Sequence, residues 1–475
     1  MAYRYGNRTQ VTFLPDSIEQ YVKEDDPVRV YDTFINCLDP KEIGLLIDDK
    51  SVGNSSYDPI TMLKILVYGY SYGWRSSRKL ERALHHNLSF IWLAGGLKPD
   101  FKTISNFRKN NLVVLKNVLI QSVRLSIELK LIHGNVLFTD GSKFRANAGN
   151  RQTKDLETWS NNKEHVTKRI DSLLSEINSI DETETQSLVS MNKELKSQRT
   201  LKKKITKLLD EFKGEEKVNG TDPECKIMNG RQGSHAGYNV QATMDGANGL
   251  IVSLEGSDSR NDMGELSTQI GIAETNLGKS CETVCADAGY SSIEDLVPLI
   301  KKGKTVVVPS QKQVLKNKKE KPFDKDRFDY IAEKDIYICP IGKELHKSTK
   351  KEGAKTLEYS ILDKEICLSC IHYGKCTTSK KGRKVTRSIY ESIREGIADF
   401  YESSKGQEIY SKRKNIAELQ FGHFKRNLGA GSFLLRGMKA INAELGILGA
   451  CFNLSRITNL MGGVRPAITK MIEIQ

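Results

Sequence analysis

Between residues 150 and 215 the apolar period of the chain changes abruptly, and that change limits what can fold around it. Val166, Ile170, Leu173, Ile177 and Ile180 step by four, three, four and three, the spacing that keeps one helical stripe against a partner helix. After the acidic turn Asp181-Glu182-Thr183-Glu184-Thr185, Leu188, Met191, Leu195, Leu201, Ile205 and Leu208 continue a looser version. An antiparallel helical hairpin is predicted. Because strand-like runs lie on both sides of it, the hairpin reads as an insertion into a larger α/β domain. Its Lys202-Lys203-Lys204 run is read first as a solvated face, with DNA contact as the alternative.

The strand-like runs carry the candidate chemistry. Gly134-Asn135-Val136-Leu137-Phe138-Thr139 is closed by Asp140-Gly141, and Glu282-Thr283-Val284-Cys285-Ala286 by Asp287-Ala288-Gly289. Each reads as a strand delivering a carboxylate to the C-terminal edge of a sheet. Between them, Tyr238–Met244 and Leu250–Leu254 flank a Gly-rich hairpin turn. A helix over Met263–Asn276, a second over Ile293–Lys301 and a strand over Thr305–Val308 complete a mixed α/β pattern. A third acid, Glu418, is placed mid-helix within Tyr410–Asn427. An Asp after a strand is, by itself, as well explained by a turn or a helix cap. Three converging carboxylates would hold hard cations such as Mg²⁺ and suit two-metal phosphodiester cleavage and transfer.

Charge points to a polyanionic partner. Lys plus Arg outnumber Asp plus Glu by 73 to 59, a net charge of +14, and each basic group placed on a phosphate releases condensed counterions. Met1–Gly6 lacks the apolar segment of a signal peptide, and no run of apolar residues is long enough to span a membrane. Nine cysteines, an odd number, argue for reduced thiols or metal ligands. A cytoplasmic, nucleoid-associated protein with no membrane partner is expected.

Residues 1–130 read as helical. Pro59–Tyr70 is apolar with Pro near its start, Ser76–Leu84 opens another helix, and Asp100–Lys109 forms a short basic helix after a turn. The last suits the second helix of a helix-turn-helix, with Arg108 and Lys109 as DNA contacts. A plain helical bundle with a basic face fits the pattern equally well.

Cys339, Cys367, Cys370 and Cys376 are separated by twenty-seven, two and five residues. A pair with two intervening residues plus two further thiolates suits one tetrahedral Zn²⁺. Free cysteines, an iron–sulfur cluster, or His372 as a substitute ligand are the alternatives. Cys37, Cys225, Cys281, Cys285 and Cys451 read as packing residues.

On the helix from Tyr410, helical spacing sets Lys414, Glu418 and Lys425 within about one face. Tyr410, Arg413, Glu418 and Lys425 together resemble the Y-R-E-K signature of DDE transposases of the insertion-sequence-four superfamily. Phe421-Gly422-His423-Phe424-Lys425, Leu435-Arg436-Gly437 and Phe452-Asn453-Leu454 are similar to its eleven-eighty-two branch. So are Thr139-Asp140-Gly141-Ser142, Ala286-Asp287-Ala288-Gly289-Tyr290 and the helical stretch from Tyr57 through Arg108. Cysteine insertions like Cys367–Cys376 have counterparts there.

The resemblance implies an RNase H-like α/β core in which Asp140, Asp287 and Glu418 bind two Mg²⁺ (or Mn²⁺) ions. It implies DNA contacts from Tyr410, Arg413 and Lys425, inverted-repeat ends and target DNA as substrates, and a homodimer on DNA. A metal-dependent nuclease without strand transfer and a non-catalytic DNA-binding repressor are the rival readings. Two departures stand out. Four residues, not three, separate Arg413 from Glu418, which turns Arg413 off the glutamate's face and leaves Lys414, at the preceding helical turn, to share or take its DNA-contacting role. The helical insertion also follows Asp140 rather than the last strand. The implied order is a helical DNA-binding region over 1–130, core segments over 131–150 and 230–310, and the hairpin over 151–229. A Lys-rich, Cys-rich zinc-type insertion over 311–390 and the glutamate helix with the C-terminal helices over 391–475 complete it.

Overall fold

In the computed structural model the described residues are 17–47, 57–179, 185–230, 233–314, 322–348 and 355–474. The N-terminal Met1–Gly6, Ile180 of the apolar stripe, residues 181–184 of the acidic turn, the Leu188 side chain and most of the Lys-rich stretch lie outside them. The chain divides into two compact units, 1–282 with 413–475, and 283–412.

The first unit begins with helices α1 (Val28–Asn36), α2 (Pro59–Ser71), α3 (Ser77–His86), α4 (Leu88–Leu93), α5 (Phe101–Asn110) and α6 (Leu112–Glu128). The start of α2 is set by Asp58, whose carboxylate accepts the Ile60 and Thr61 N–H groups, and by Pro59 in the turn where no donor is needed. Strand β1 (Val136–Arg145) follows. It pairs antiparallel with β3 (Gly233–Asp245), which also pairs with β2 (Lys226–Gly230) and β4 (Ile251–Ser257).

Between β1 and β2 the chain forms two long helices, α7 (Leu156–Ser179) and α8 (Thr185–Glu211). The stripe read from the sequence is their contact: Ile170, Leu173 and Leu195 pack with Val166, Ile177 and Met191. Trp159, Ile205, Leu208 and Val218 close the base. Lys203 and Lys204 are exposed.

Helix α9 (Leu266–Leu277) follows β4. The second unit starts with β5 (Thr283–Cys285), helix α10 (Ile293–Lys301) and β6 (Thr305–Val307), with β5 and β6 parallel. A helical crossover is what a parallel pair requires. Where the sequence suggested only Lys-rich and Cys-rich irregularity, five strands form an antiparallel meander: β7 (Asp329–Ile331), β8 (Ile336–Ile338), β9 (Glu344–Lys347), β10 (Thr356–Ile361) and β11 (Lys384–Ser388). Phe328, Tyr337, Leu345, Tyr359 and Val385 form its own core. Three of these strands have only three or four residues, too few to display a period of two. Helix α11 (Glu391–Glu402) follows the meander.

Helix α12 (Ser404–Ala417) leads back into the first unit, where α13 (Leu419–Arg426), α14 (Met438–Leu460) and α15 (Val464–Glu473) complete the chain. Helix α14 is buried on every side from Ala443 to Leu454 and lies between α6, α2 and β4. On β4 the Asn453 side chain accepts the Ile251 N–H and donates to the Ile251 carbonyl, so an amide completes the strand's ladder. The N-terminal helices therefore share a core with α14 instead of enclosing one of their own. A buried ion pair between Arg75 and Glu444 fixes that junction. Among the described residues no helix is long and apolar enough to cross a membrane.

Candidate active site

Asp140 lies within β1, not at its end. The strand continues five residues to Arg145 because Gly141 through Arg145 pair with Gln241 through Gly237 of the long β3. Alternation along β1 sets Asp140, Ser142 and Phe144 on one face and Gly141 and Lys143 on the other. Gly141 is required by a close approach: a Cβ there would meet the Asp262 carboxylate at 2.3 Å. Asp262 Oδ1 accepts from Asn239 and Gln241 at 2.9 and 2.7 Å and lies 3.6 Å from Lys143 Nζ.

Glu418 is not mid-helix. It occupies the break between α12 and α13, with φ −86° and ψ −25°, and its side chain is 45% exposed. The break changes which base reaches it. Arg413 Nη2 donates to Glu418 Oε1 at 2.9 Å, and Arg413 Nη1 to Asp140 Oδ1 at 3.4 Å. Arg413 and Asp140 are each only 13% exposed. A regular helix would have turned Arg413 away and favoured Lys414; here Lys414 is exposed to solvent. Asp140 and Glu418 thus share one guanidinium cation.

Lys425 is held beside them. Its Nζ donates to Ser142 Oγ at 2.6 Å and lies 4.7 Å from the centre of the Phe144 ring, on the Asp140 face of β1. Burial lowers its pKa. Phe421 and Phe433 pack on Phe144 and fix α13 against the strand.

Asp287, in the second unit, follows β5 after Ala286 and caps a short turn, with Gly289 N–H donating to its Oδ1 at 2.7 Å. Tyr410 packs edge-on against Tyr401, ring centres 5.0 Å apart.

Arg108 is a correction to the expected DNA contacts. It is only 4% exposed, and its guanidinium donates to the Arg75 carbonyl and Ser77 Oγ at 3.0 and 2.6 Å, with Tyr70 close by. It reads as basic in sequence, but the helix turns it inward to tie α5 to the start of α3. Lys109 is exposed, as are Lys102, Ser105 and Asn106 on the same outward side of α5. Replacing Arg108 by Ala should destabilise the fold by about 2–4 kcal/mol, because it removes several hydrogen bonds from a buried charge's site. Lys109→Gln should leave stability unchanged, and parallel thermal melts check both.

Cys339, Cys367, Cys370 and Cys376 line one cavity with Leu345, Ile361 and Ile366, and all four are free, half-buried thiols. Cys339 opens a tight turn in which Gly342 has φ +78° and Lys343 N–H points at Cys339 Sγ, 3.3 Å away. His372 N–H points at Cys370 Sγ at 3.4 Å, and Arg383 N–H at Cys367 Sγ at 3.5 Å. Burial raises the Cys376 pKa, and the other three thiols push the same way. Cys339 and Cys376 also pack against the meander core, which the composition of the segment had not suggested. Among the described residues, no three His, Cys, Asp or Glu side chains are gathered at metal-ligand spacing.

Lys143, Arg145, His235 and Asp262 lie beside Asp140 or along the strands next to it and were not singled out in the sequence. Lys143 and Arg145 had a signal, since both follow Asp140 within the same strand once its true length is known. His235 and Asp262 had none, because β3 and the loop after β4 bring them to β1 only through tertiary pairing.

Residues 338–458 match the family model of the transposase DDE domain. That span contains Tyr410, Arg413, Lys414, Glu418, Lys425 and all four clustered cysteines. Residues 16–110 match a second family model, described as transposase domain (DUF772), which spans α1 to α5. Both matched families are transposases, and a DDE domain implies an RNase H-like core. Compared with curated proteins, the sequence matches none.

Proposed function

We propose that this protein is a transposase that binds the inverted-repeat ends of an insertion sequence and performs metal-dependent DNA cleavage and strand transfer. The observation that carries the reading is the convergence of Asp140 and Glu418 on Arg413, the first 273 residues from that arginine in sequence. Two carboxylates that already share one cation are a fitting donor set for Mg²⁺ or Mn²⁺, and Asp287 is the third carboxylate of the proposed set. When bound, the metal ions supply charge stabilisation at the reacting phosphate and activate water or a 3′-hydroxyl. Arg413 holds Asp140 and Glu418 together, and with the two carboxylates on a metal its guanidinium would be available to a DNA phosphate. Lys425, already oriented by Ser142 and Phe144, presents its charge to the backbone beside Asp140. Tyr410 and Lys414 offer further contacts along α12.

End recognition is assigned to α5, whose outward side carries Lys102, Ser105, Asn106 and Lys109. A polar helix face of this kind reads base edges in a major groove. Coordinated cutting of two ends calls for two active sites, hence a homodimer on DNA, acting at the nucleoid. The test is incubation with Mg²⁺, a labelled element end and a plasmid. Joined product is expected; cleavage without joining would favour a nuclease, and binding without cleavage a repressor.

Zn²⁺ is the proposed structural ion of the meander. Backbone N–H groups aimed at three of the four sulfurs match the outer hydrogen bonds that metal-bound cysteines receive. Metal analysis should give about one zinc per chain. Chelation should lower the melting temperature, and Cys370→Ser should abolish zinc retention. Full stability of the zinc-free protein would contradict the assignment.

A further inference from the structure

Beside the carboxylates runs a groove of about 890 Å³ lined by Ser142, Lys143, Arg145, His235, Lys425 and the glycines 230, 429 and 431 with Ser432. Three basic side chains and an imidazole line it, and one of the bases, Lys143, faces the Asp262 carboxylate at 3.6 Å. At Arg145 and His235 it meets a second depression formed by Ala146, residues 148–152, Ser234 and Ala236, which adds Arg151 and the backbone of Gly149 and Asn150. Neither depression is needed to explain the fold: Arg145 and Arg151 are exposed, and the glycines leave backbone open to a ligand.

The order of charges along the groove is informative. Ser142, with Lys425 on its hydroxyl, is two residues from Asp140 on the same strand face. Arg145 lies five residues from Asp140, or about 17 Å at the rise of a β-strand. Phosphates on one DNA strand recur at about 3.4 Å of rise, so the groove matches roughly five nucleotides beginning at the carboxylates. A free nucleotide or a single anion would use one end of it only.

We propose that this groove holds the phosphate backbone of the DNA strand flanking the cleaved bond, with Arg145, His235, Lys425 and Arg151 as its contacts, while Lys143 stays paired with Asp262. The inference rests on the transposase reading, and it assigns the position and length of bound DNA on one side of the cut. The residues outside the metal site give a clean test. Arg145→Gln with Arg151→Gln, in the full-length protein, is compared with Lys203→Gln with Lys204→Gln, which removes the same charge from α8. Binding of a labelled element-end duplex is measured across salt concentrations, and thermal melts check folding. The groove variant should bind roughly tenfold more weakly per arginine, with the salt slope reduced by about 0.9 for each phosphate no longer neutralised. The α8 variant should match the unaltered protein.

A groove variant with the unaltered slope overturns the inference and leaves the transposase reading in place. Equal losses in both variants also overturn it, because they reduce the effect to net charge. If the unaltered protein binds no DNA, both readings fall together. Should the groove variant misfold, neutral methylphosphonates placed on the first five phosphates from the cut make the same measurement on the unaltered protein. Loss of affinity at those positions supports the track, and indifference overturns it.

Discussion

Glu418→Gln should abolish DNA cleavage, by at least about 10³-fold, while leaving DNA binding and the melting temperature close to those of the unaltered protein. The size follows from what the carboxylate is proposed to do. If Glu418 holds a metal that would contribute several kcal/mol of charge stabilisation at the reacting phosphate, its removal would cost that stabilisation, and each 1.36 kcal/mol is a factor of ten in rate. The separation of effects follows from position. Glu418 is 45% exposed at a break between helices and makes one ion pair, with Arg413. An exposed pair of this kind contributes at most about 1 kcal/mol to folding. Asp140→Asn should behave similarly in cleavage. A single-turnover assay on a labelled end reads the rate, and a cleavage rate within tenfold of the unaltered protein would remove Glu418 from the active site.

Glu444→Ala should be the most damaging substitution for stability. Glu444 is fully buried and Arg75 is 7% exposed. The glutamate accepts from Arg75 and from the backbone N–H groups of Leu434 and Leu435, while Arg75 also donates to the Gly429 and Ser432 carbonyls. Removing it strands a guanidinium in the core and leaves two backbone donors unmatched, a loss of about 3–5 kcal/mol. Denaturant unfolding measures it, with Glu473→Ala, which breaks an exposed pair with Lys470, as a reference expected within about 1 kcal/mol of the unaltered protein. Because the loop from Gly429 to Ser432 also borders the proposed DNA groove, the variant should lose DNA affinity along with stability.

The extent to which the sequence revealed this architecture depended on how local each signal was. The α7–α8 hairpin was legible because its stripe is long and its contacts are internal. Asp287 was legible too, since a short parallel strand ends where its β-branched run ends. Asp140 was placed correctly on a strand but at the wrong point along it. Only the thirteen-residue partner β3 extends β1 to Arg145, and a partner strand leaves no mark in the local pattern. Arg413 shows the same limit. Its spacing from Glu418 is wrong for a continuous helix, and the interruption at Glu418 restores the contact. No helix breaker announces that interruption. The meander over residues 329–388 was hidden because its strands are short and its core is mostly tyrosine and phenylalanine scattered among lysines. Arg108, finally, looked like a DNA contact only because composition does not say which side of a helix faces inward.

We propose that Asp140, Asp287 and Glu418 each contribute to divalent-metal binding. Electron paramagnetic resonance of Mn²⁺ titrated into the full-length protein bound to an element-end duplex tests it most directly. The unaltered complex should show protein-bound Mn²⁺, and Asp140→Asn, Asp287→Asn and Glu418→Gln should each lose it. Bound Mn²⁺ undiminished in any one of the three variants would contradict the assignment of that acid, and undiminished binding in all three would contradict the site.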